Sequence, residues 1–223
     1  MFTIERACYA RACWPDHACS GQPQTAQHGE PAMNRIVTSL QACNVSDTAA
    51  DRPAATRSCC GNCDRARIEA HLLSLNADDR SLRFSAGVVT DDSIRAYVAR
   101  IRFGHDLVLS LVSQRGLLFG LAHGCVYDSR GQTHIEAAFS VDAAWRGAGL
   151  GKALMAALCQ RACDRACDQT ALVGQCALRN LPMRRLFEGA GLTLRREDDE
   201  LHAHRWVLPN SAASGPKACR LAA

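Results

Sequence analysis

The sequence predicts an α/β fold: a three-layer sandwich whose mixed, mostly antiparallel sheet has about seven strands, with four helices packed on its two sides. Three observations predict it. Short apolar runs with strand character alternate with helical runs from residue 64 to residue 208, the pattern of layered α/β domains. Two paired runs, over 107–126 and 192–208, read as antiparallel hairpins. A glycine-rich turn then joins a strand to a long helix in the middle of the domain.

Taken in order, Ala66 to Leu75 reads as a first strand, with Ile68, Leu72 and Leu73 apolar. Asn76 opens a helix, because its side chain suits the cap position and Asp78 and Asp79 favour the first turn. Thr90 opens a second, in which Ile94, Tyr97, Val98 and Ile101 recur three and four residues apart. Leu107 to Val112 and Leu117 to Val126 pair across Gln114-Arg-Gly116. His134 to Val141 is a further strand, and the long helix runs from Leu150 to Cys167. Thr170 to Leu178 is a strand, Leu181 to Gly189 a helix, and Leu192 to Arg196 with Ala203 to Leu208 close the sheet.

Residues 1–63 read as a leader without a fold. They carry Pro15, Pro23, Pro31 and Pro53 and show no sustained period of two or 3.6. Residues 209–223 read as a flexible tail. Apolar residues make up 48% of the chain and the net charge is +4. Over residues 64–208 there are 19 Arg and Lys against 17 Asp and Glu, a difference of +2. That balance argues against a nucleic-acid or membrane partner. No run of about 18 apolar residues exists to span a bilayer, and Glu5, Arg6 and Arg11 interrupt any export signal. The expected location is the cytoplasm, as a monomer or homodimer.

Thirteen cysteines are irregularly spaced, and reduced thiols are expected for a cytoplasmic protein. Cys159, Cys163 and Cys167 recur every four residues, which stacks them on one helix face as small buried groups. Cys59-Cys60-Gly-Asn-Cys63 contains a CxxC, half of a zinc site, and outside that stretch only Cys43 stands nearby. A complete site needs four ligands, so no metal is expected.

The chemistry concentrates in Arg146-Gly147-Ala148-Gly149-Leu150-Gly151-Lys152. Alternate glycines let the backbone approach a ligand, and a helix start turns unpaired N–H groups outward. Such a nest, at the positive end of a helix dipole, binds phosphates. The lack of Gly-Lys-Ser/Thr excludes a Walker loop, and GxGxG spacing late in the domain is a poor dinucleotide fingerprint.

Three ordered stretches resemble the GNAT superfamily of acetyltransferases. They are Val141-Asp-Ala-Ala-Trp-Arg146-Gly-Ala-Gly-Leu-Gly151-Lys, Asn180-Leu-Pro-Met-Arg-Arg-Leu-Phe187-Glu-Gly-Ala-Gly191, and Leu75-Asn-Ala-Asp-Asp-Arg80-Ser-Leu-Arg83-Phe84. The third looks like the first helix of a bacterial subgroup that resembles the acetyltransferase domain of bacterial protein lysine acetyltransferases. The resemblance implies acetyl-CoA as cosubstrate and an amine, a protein lysine or a small amine, as acceptor. It further implies that backbone groups of Phe139, Ser140 and Val141 pair with the pantetheine arm. The N–H groups from Arg146 to Gly151 would hold the pyrophosphate, helped by Lys152, and Asn180 would bond the cofactor arm. Glu136, the only acid within the strand from His134 to Val141, would be the general base, with His134 as second candidate. One departure stands out: Phe187 replaces the tyrosine that protonates the leaving thiolate in many members, which leaves water or Cys176 for that task. An acyl-CoA-binding module without turnover is therefore the alternative.

Overall fold

The computed structural model describes residues 53–58, 62–85, 87–113, 115–167 and 169–209. Seven strands form one sheet: β1 (Pro53–Ser58), β2 (Leu107–Ser113), β3 (Leu118–Ser129), β4 (Gln132–Val141), β5 (Thr170–Ala177), β6 (Thr193–Glu197) and β7 (Glu200–Val207). Their order is β1-β2-β3-β4-β5-β7-β6. Every pairing is antiparallel except that of β4 with β5, a parallel pair whose crossover is the helix between them. Among the described residues, five α-helices cover the sheet: α1 (Asn62–Ser74), α2 (Ala77–Phe84), α3 (Asp91–Arg100), α4 (Leu150–Arg165) and α5 (Leu181–Gly189).

Alternation along each strand divides the core in two. On one face, Ile135 and Ala137 of β4, Leu172 and Cys176 of β5 and Ala203 of β7 meet Leu154 and Leu158 of α4 and Phe187 of α5. On the other, Val108 of β2 and Leu121 of β3 meet Ile68 and Leu72 of α1 and Ile94 and Val98 of α3. Leu154 is fully buried at the centre of the first cluster. Leu154→Ala is expected to cost about 2–5 kcal/mol of stability, read as a lower midpoint in urea with an unchanged slope.

The caps form as the sequence dictates. Asn76 Oδ1 accepts from Asp79 N at 2.8 Å and Thr90 Oγ1 from Ser93 N at 3.2 Å. Arg80 fastens α2 to its neighbours: it donates to the carbonyls of Leu73 and Leu75 at the end of α1 and pairs with Asp91 at 2.6 Å.

Four expectations need correction. Ala66 to Leu75 is helix α1, not a strand; Ile68, Leu72 and Leu75 are all buried, and their spacing of four and three is the helical period. Pro53–Ser58, inside the supposed unfolded leader, pairs antiparallel with β2 as an edge strand. The long helix stops at Arg165, so Cys167 lies beyond it and off the cysteine face. Cys167 is also disulfide-bonded, against the expectation of reduced thiols. The Cys43, Cys59, Cys60 and Cys63 thiols lie outside what is described. No helix among the described residues is long and apolar enough to cross a membrane.

Candidate active site

The parallel pairing of β4 with β5 is short. β4 and β5 run in register from Thr133↔Thr170 to Glu136↔Val173 and then part, while β4 stays paired with β3 as far as Val141. From Ala137 to Val141 the β5-facing edge of β4 therefore has no strand beside it. A cleft of about 530 Å³ opens there, walled by α2 on one side and by the start of α4 and α5 on the other. Phe139, Ser140 and Val141 line it, as their expected role as a docking edge requires.

At one end of the cleft lies the glycine turn. Gly147 and Gly149 have φ of +80° and +79°, a left-handed conformation that costs other residues about 1–2 kcal/mol. Nothing lies within 4 Å of a Cβ built at either position, so backbone geometry and not lack of room demands glycine. Gly149 caps α4 without a side chain, leaving the first N–H groups of the helix directed outward. Gly147, Gly149, Leu150, Gly151 and Lys152 line the cleft. Two members of the expected set behave differently. Ala148 packs against the core cluster, and the Arg146 N–H is already bonded to the Ala143 carbonyl at 3.3 Å. Arg146 does line the cleft, and its guanidinium is held by Asp79 at 2.8 Å and the Val141 carbonyl at 2.9 Å. Asn180 lines it too, but its Oδ1 caps α5 by accepting from Met183 N at 3.2 Å. Its amide N–H groups are the part left to reach a ligand.

Glu136 occupies the branch point, the last residue of β4 before the two strands part. It is half-buried and lines the cleft. His134, two residues earlier on the same strand face, does not line the cleft and stacks on Tyr127, with ring centroids 5.3 Å apart. Burial lowers its pKa, but its position removes it as a base for this site.

The leaving-group end also differs from expectation. Phe187 is completely buried, and a Cβ on Gly174 would approach its ring to 2.5 Å, so the ring is packed on bare backbone. Cys176 is 1% exposed and does not line the cleft. Burial, with Glu200 nearby, pushes its thiol up to about 11. Neither residue can deliver a proton to a thiolate in the cleft.

Two histidine clusters were missed in the sequence. His71 of α1 shares a 2.9 Å hydrogen bond with Ser140 Oγ and stands 3.0 Å from Asp142. The Asp142 carboxylate lies off the axis of the ring N–H bond, since Nδ1 makes no directed hydrogen bond. The group thus reads as a clamp from α1 to the end of β4, not as a nucleophile with an oriented base. The second cluster, Arg83, Tyr97, His123 and Asp106, brings three of its members into the cleft. The residues come from α2, α3, β3 and the α3–β2 connection, and no local pattern could have linked them.

The comparisons with known proteins agree with this geometry. No curated protein matches the sequence. Among solved structures, the GNAT domain of PAT from S. lividans is 19% identical, with a TM-score of 0.55 over 67% of this chain and 88% of that one. Spermidine N-acetyltransferase from Vibrio cholerae, in complex with CoA and spermine, is 14% identical, with a TM-score of 0.53 over 69% and 95%. The yncA protein of Salmonella typhimurium, with its cofactor acetyl-CoA, is 20% identical, with a TM-score of 0.53 over 74% and 98%. At these identities the likeness speaks for the fold. The model of the acetyltransferase (GNAT) family matches residues 74–192, the span that holds the parted strands, the glycine turn and the α5 cap, and the chain belongs to that family.

Proposed function

We propose that the protein transfers an acetyl group from acetyl-CoA to a primary amine, a protein lysine or a small amine, by direct attack of the amine on the thioester. One observation carries the reading: a glycine-capped helix start and a carboxylate lie at the two ends of one unpaired strand edge. Pyrophosphate on Gly147–Gly151 and pantetheine along Phe139–Val141 direct the thioester toward Glu136. A backbone N–H of β4 then polarises the carbonyl, and fixed donors of that kind stabilise a tetrahedral oxyanion. Glu136 takes a proton from the amine, which at neutral pH arrives mainly as ammonium because its pKa is about 10.4.

The buried Phe187 favours a second reading, an acyl-CoA-binding module without turnover. One experiment separates the two. The protein is incubated with acetyl-CoA and a panel of polyamines, amino acids and lysine peptides, with free thiol followed by colour and acceptors by mass spectrometry. Amine-dependent thiol release with an acetylated acceptor is expected. Saturable acetyl-CoA binding with no product from any amine would favour the silent module.

A further inference from the structure

The α2 wall of the cleft carries a cation that no anion of the protein balances. Arg83, in the last turn of α2, lines the cleft. Its guanidinium carbon lies 5.1 Å from the centroid of the Phe84 ring and 5.3 Å from that of Tyr97. Those two rings meet edge to face, with centroids 5.2 Å apart. Arg83 Nη2 donates to Tyr97 Oη at 2.7 Å. Arg83 Nε is buried without a hydrogen-bond partner, and Nη1 has none among the described residues. No carboxylate among the described residues pairs with the group. Asp79, one turn earlier on the same helix, is taken by Arg146 at 2.8 Å, and Asp106 by Arg102 at 2.9 Å.

A half-buried charge is costly unless it is paired. Here two aromatic rings hold the guanidinium in place, and its anion is left to come from a ligand. The phosphates of CoA are not that anion. Asp79 faces the glycine turn through Arg146, and Arg83 stands four residues further along α2, about 6 Å away from that end. Its contacts point to the other end of the cleft, because Tyr97 Oη, to which it donates, lies 2.5 Å from His123 Nδ1. His123 pairs with Ala138 and Glu136 with Cys125 across β3 and β4, which makes His123 and Glu136 diagonal neighbours on one sheet face. Burial lowers the pKa of His123 and Arg83 adds to the lowering, against the pull of Asp106. The imidazole therefore brings no second cation at neutral pH. The acceptor end of the cleft thus presents a cation from α2 and a carboxylate from β4.

We propose that Arg83 binds a carboxylate of the acceptor, and that the acceptor is an α-amino acid. The inference rests on the acetyl-transfer reading and narrows its acceptor. An α-amino acid carries an ammonium and a carboxylate on one carbon, the complement of the Glu136 and Arg83 pair. With its ammonium on Glu136 the nitrogen stands beside the thioester, and its carboxylate accepts from Arg83 Nη1. Leu75, Leu82 and Phe84 line the same wall of the cleft, so an apolar side chain suits the site. A polyamine would bring a second positive charge against Arg83. A lysine side chain in a peptide carries no carboxylate next to its nitrogen.

The test uses the full chain, with free-thiol release as the readout, and compares each amino acid of a panel with its amide. The amide keeps the size of the acceptor and removes the negative charge. For its best amino acid the wild type should show a kcat/KM about 10–100-fold above that of the amide, the worth of a charge-assisted hydrogen bond. That value should also exceed those of polyamines and lysine peptides. Arg83→Gln should raise the KM for the amino acid by a similar factor and abolish the preference, with the amide and the KM for acetyl-CoA unchanged. A purely structural arginine would, on replacement, slow acid and amide alike. Arg83→Lys keeps the charge without the planar fork and should retain part of the preference. A wild type that favours amides, polyamines or lysine peptides overturns the assignment while acetyl transfer stands, and so does Arg83→Gln acting equally on acid and amide. The wild-type comparison needs no variant to fold. A wild type inert toward every amine overturns acetyl transfer itself, and this assignment with it.

Discussion

Glu136→Gln is expected to lower kcat at pH 7 by about 10²–10⁴-fold, the usual cost of losing a general base, while acetyl-CoA binding is retained. The substitution keeps the size of the side chain at the point where β4 and β5 part and removes only its basicity. The proton it accepts belongs to an amine that is almost fully protonated at pH 7, so the deficit should shrink as pH rises toward about 10 and the acceptor arrives neutral. Steady-state rates across pH, with calorimetry for acetyl-CoA, provide the check. A Glu136→Gln enzyme with wild-type turnover at pH 7 would remove Glu136 from the chemistry.

Gly149→Asp is expected to weaken acetyl-CoA binding by about 100-fold or more, equivalent to about 2.7 kcal/mol. The mechanism is occupation of the site and not collapse of the fold. A Cβ at position 149 meets nothing within 4 Å, and a carboxylate at the cap of α4 satisfies the helix N–H groups that the pyrophosphate would use. The strain of a left-handed aspartate, about 1–2 kcal/mol, is partly offset by that cap, so the melting temperature should change little. An unchanged dissociation constant in calorimetry would place the pyrophosphate elsewhere.

Both positions stand out in the sequence because their signals are local, and both line the cleft. Alternate glycines before a helix have one economical physical use, and a lone acid among Ile135, Ala137 and Ala138 stands out on a strand. The caps at Asn76 and Thr90 were legible for the same reason. Helix α1 was misread although Ile68, Leu72 and Leu75 carry a helical period, because a short apolar run fits strand and helix alike. Strand β1 has no large apolar alternation in Pro53–Ser58, so its pairing depends on the neighbouring edge of β2 and not on its own residues. The Tyr97–His123–Asp106 cluster was invisible for a different reason. Its members lie on three separate elements, and only the β3 register and the packing of α3 bring them together.

Phe187 shows how a local substitution acquires meaning from its surroundings. In the sequence it was a missing hydroxyl. In the fold it is a fully buried ring seated on Gly174, where a phenolic oxygen would need a hydrogen-bond partner to be tolerated. Glu136, His123 and Tyr97, which do line the cleft, stand on β4, β3 and α3.

The most direct test of the account is a crystal structure of the protein with CoA bound. The pyrophosphate should lie on the N–H groups of Gly147–Gly151, the pantetheine arm along Phe139–Val141, and the sulfur near the point where β4 and β5 part, within reach of Glu136. CoA bound away from the parted strands, or with its sulfur directed out of the cleft, would contradict it.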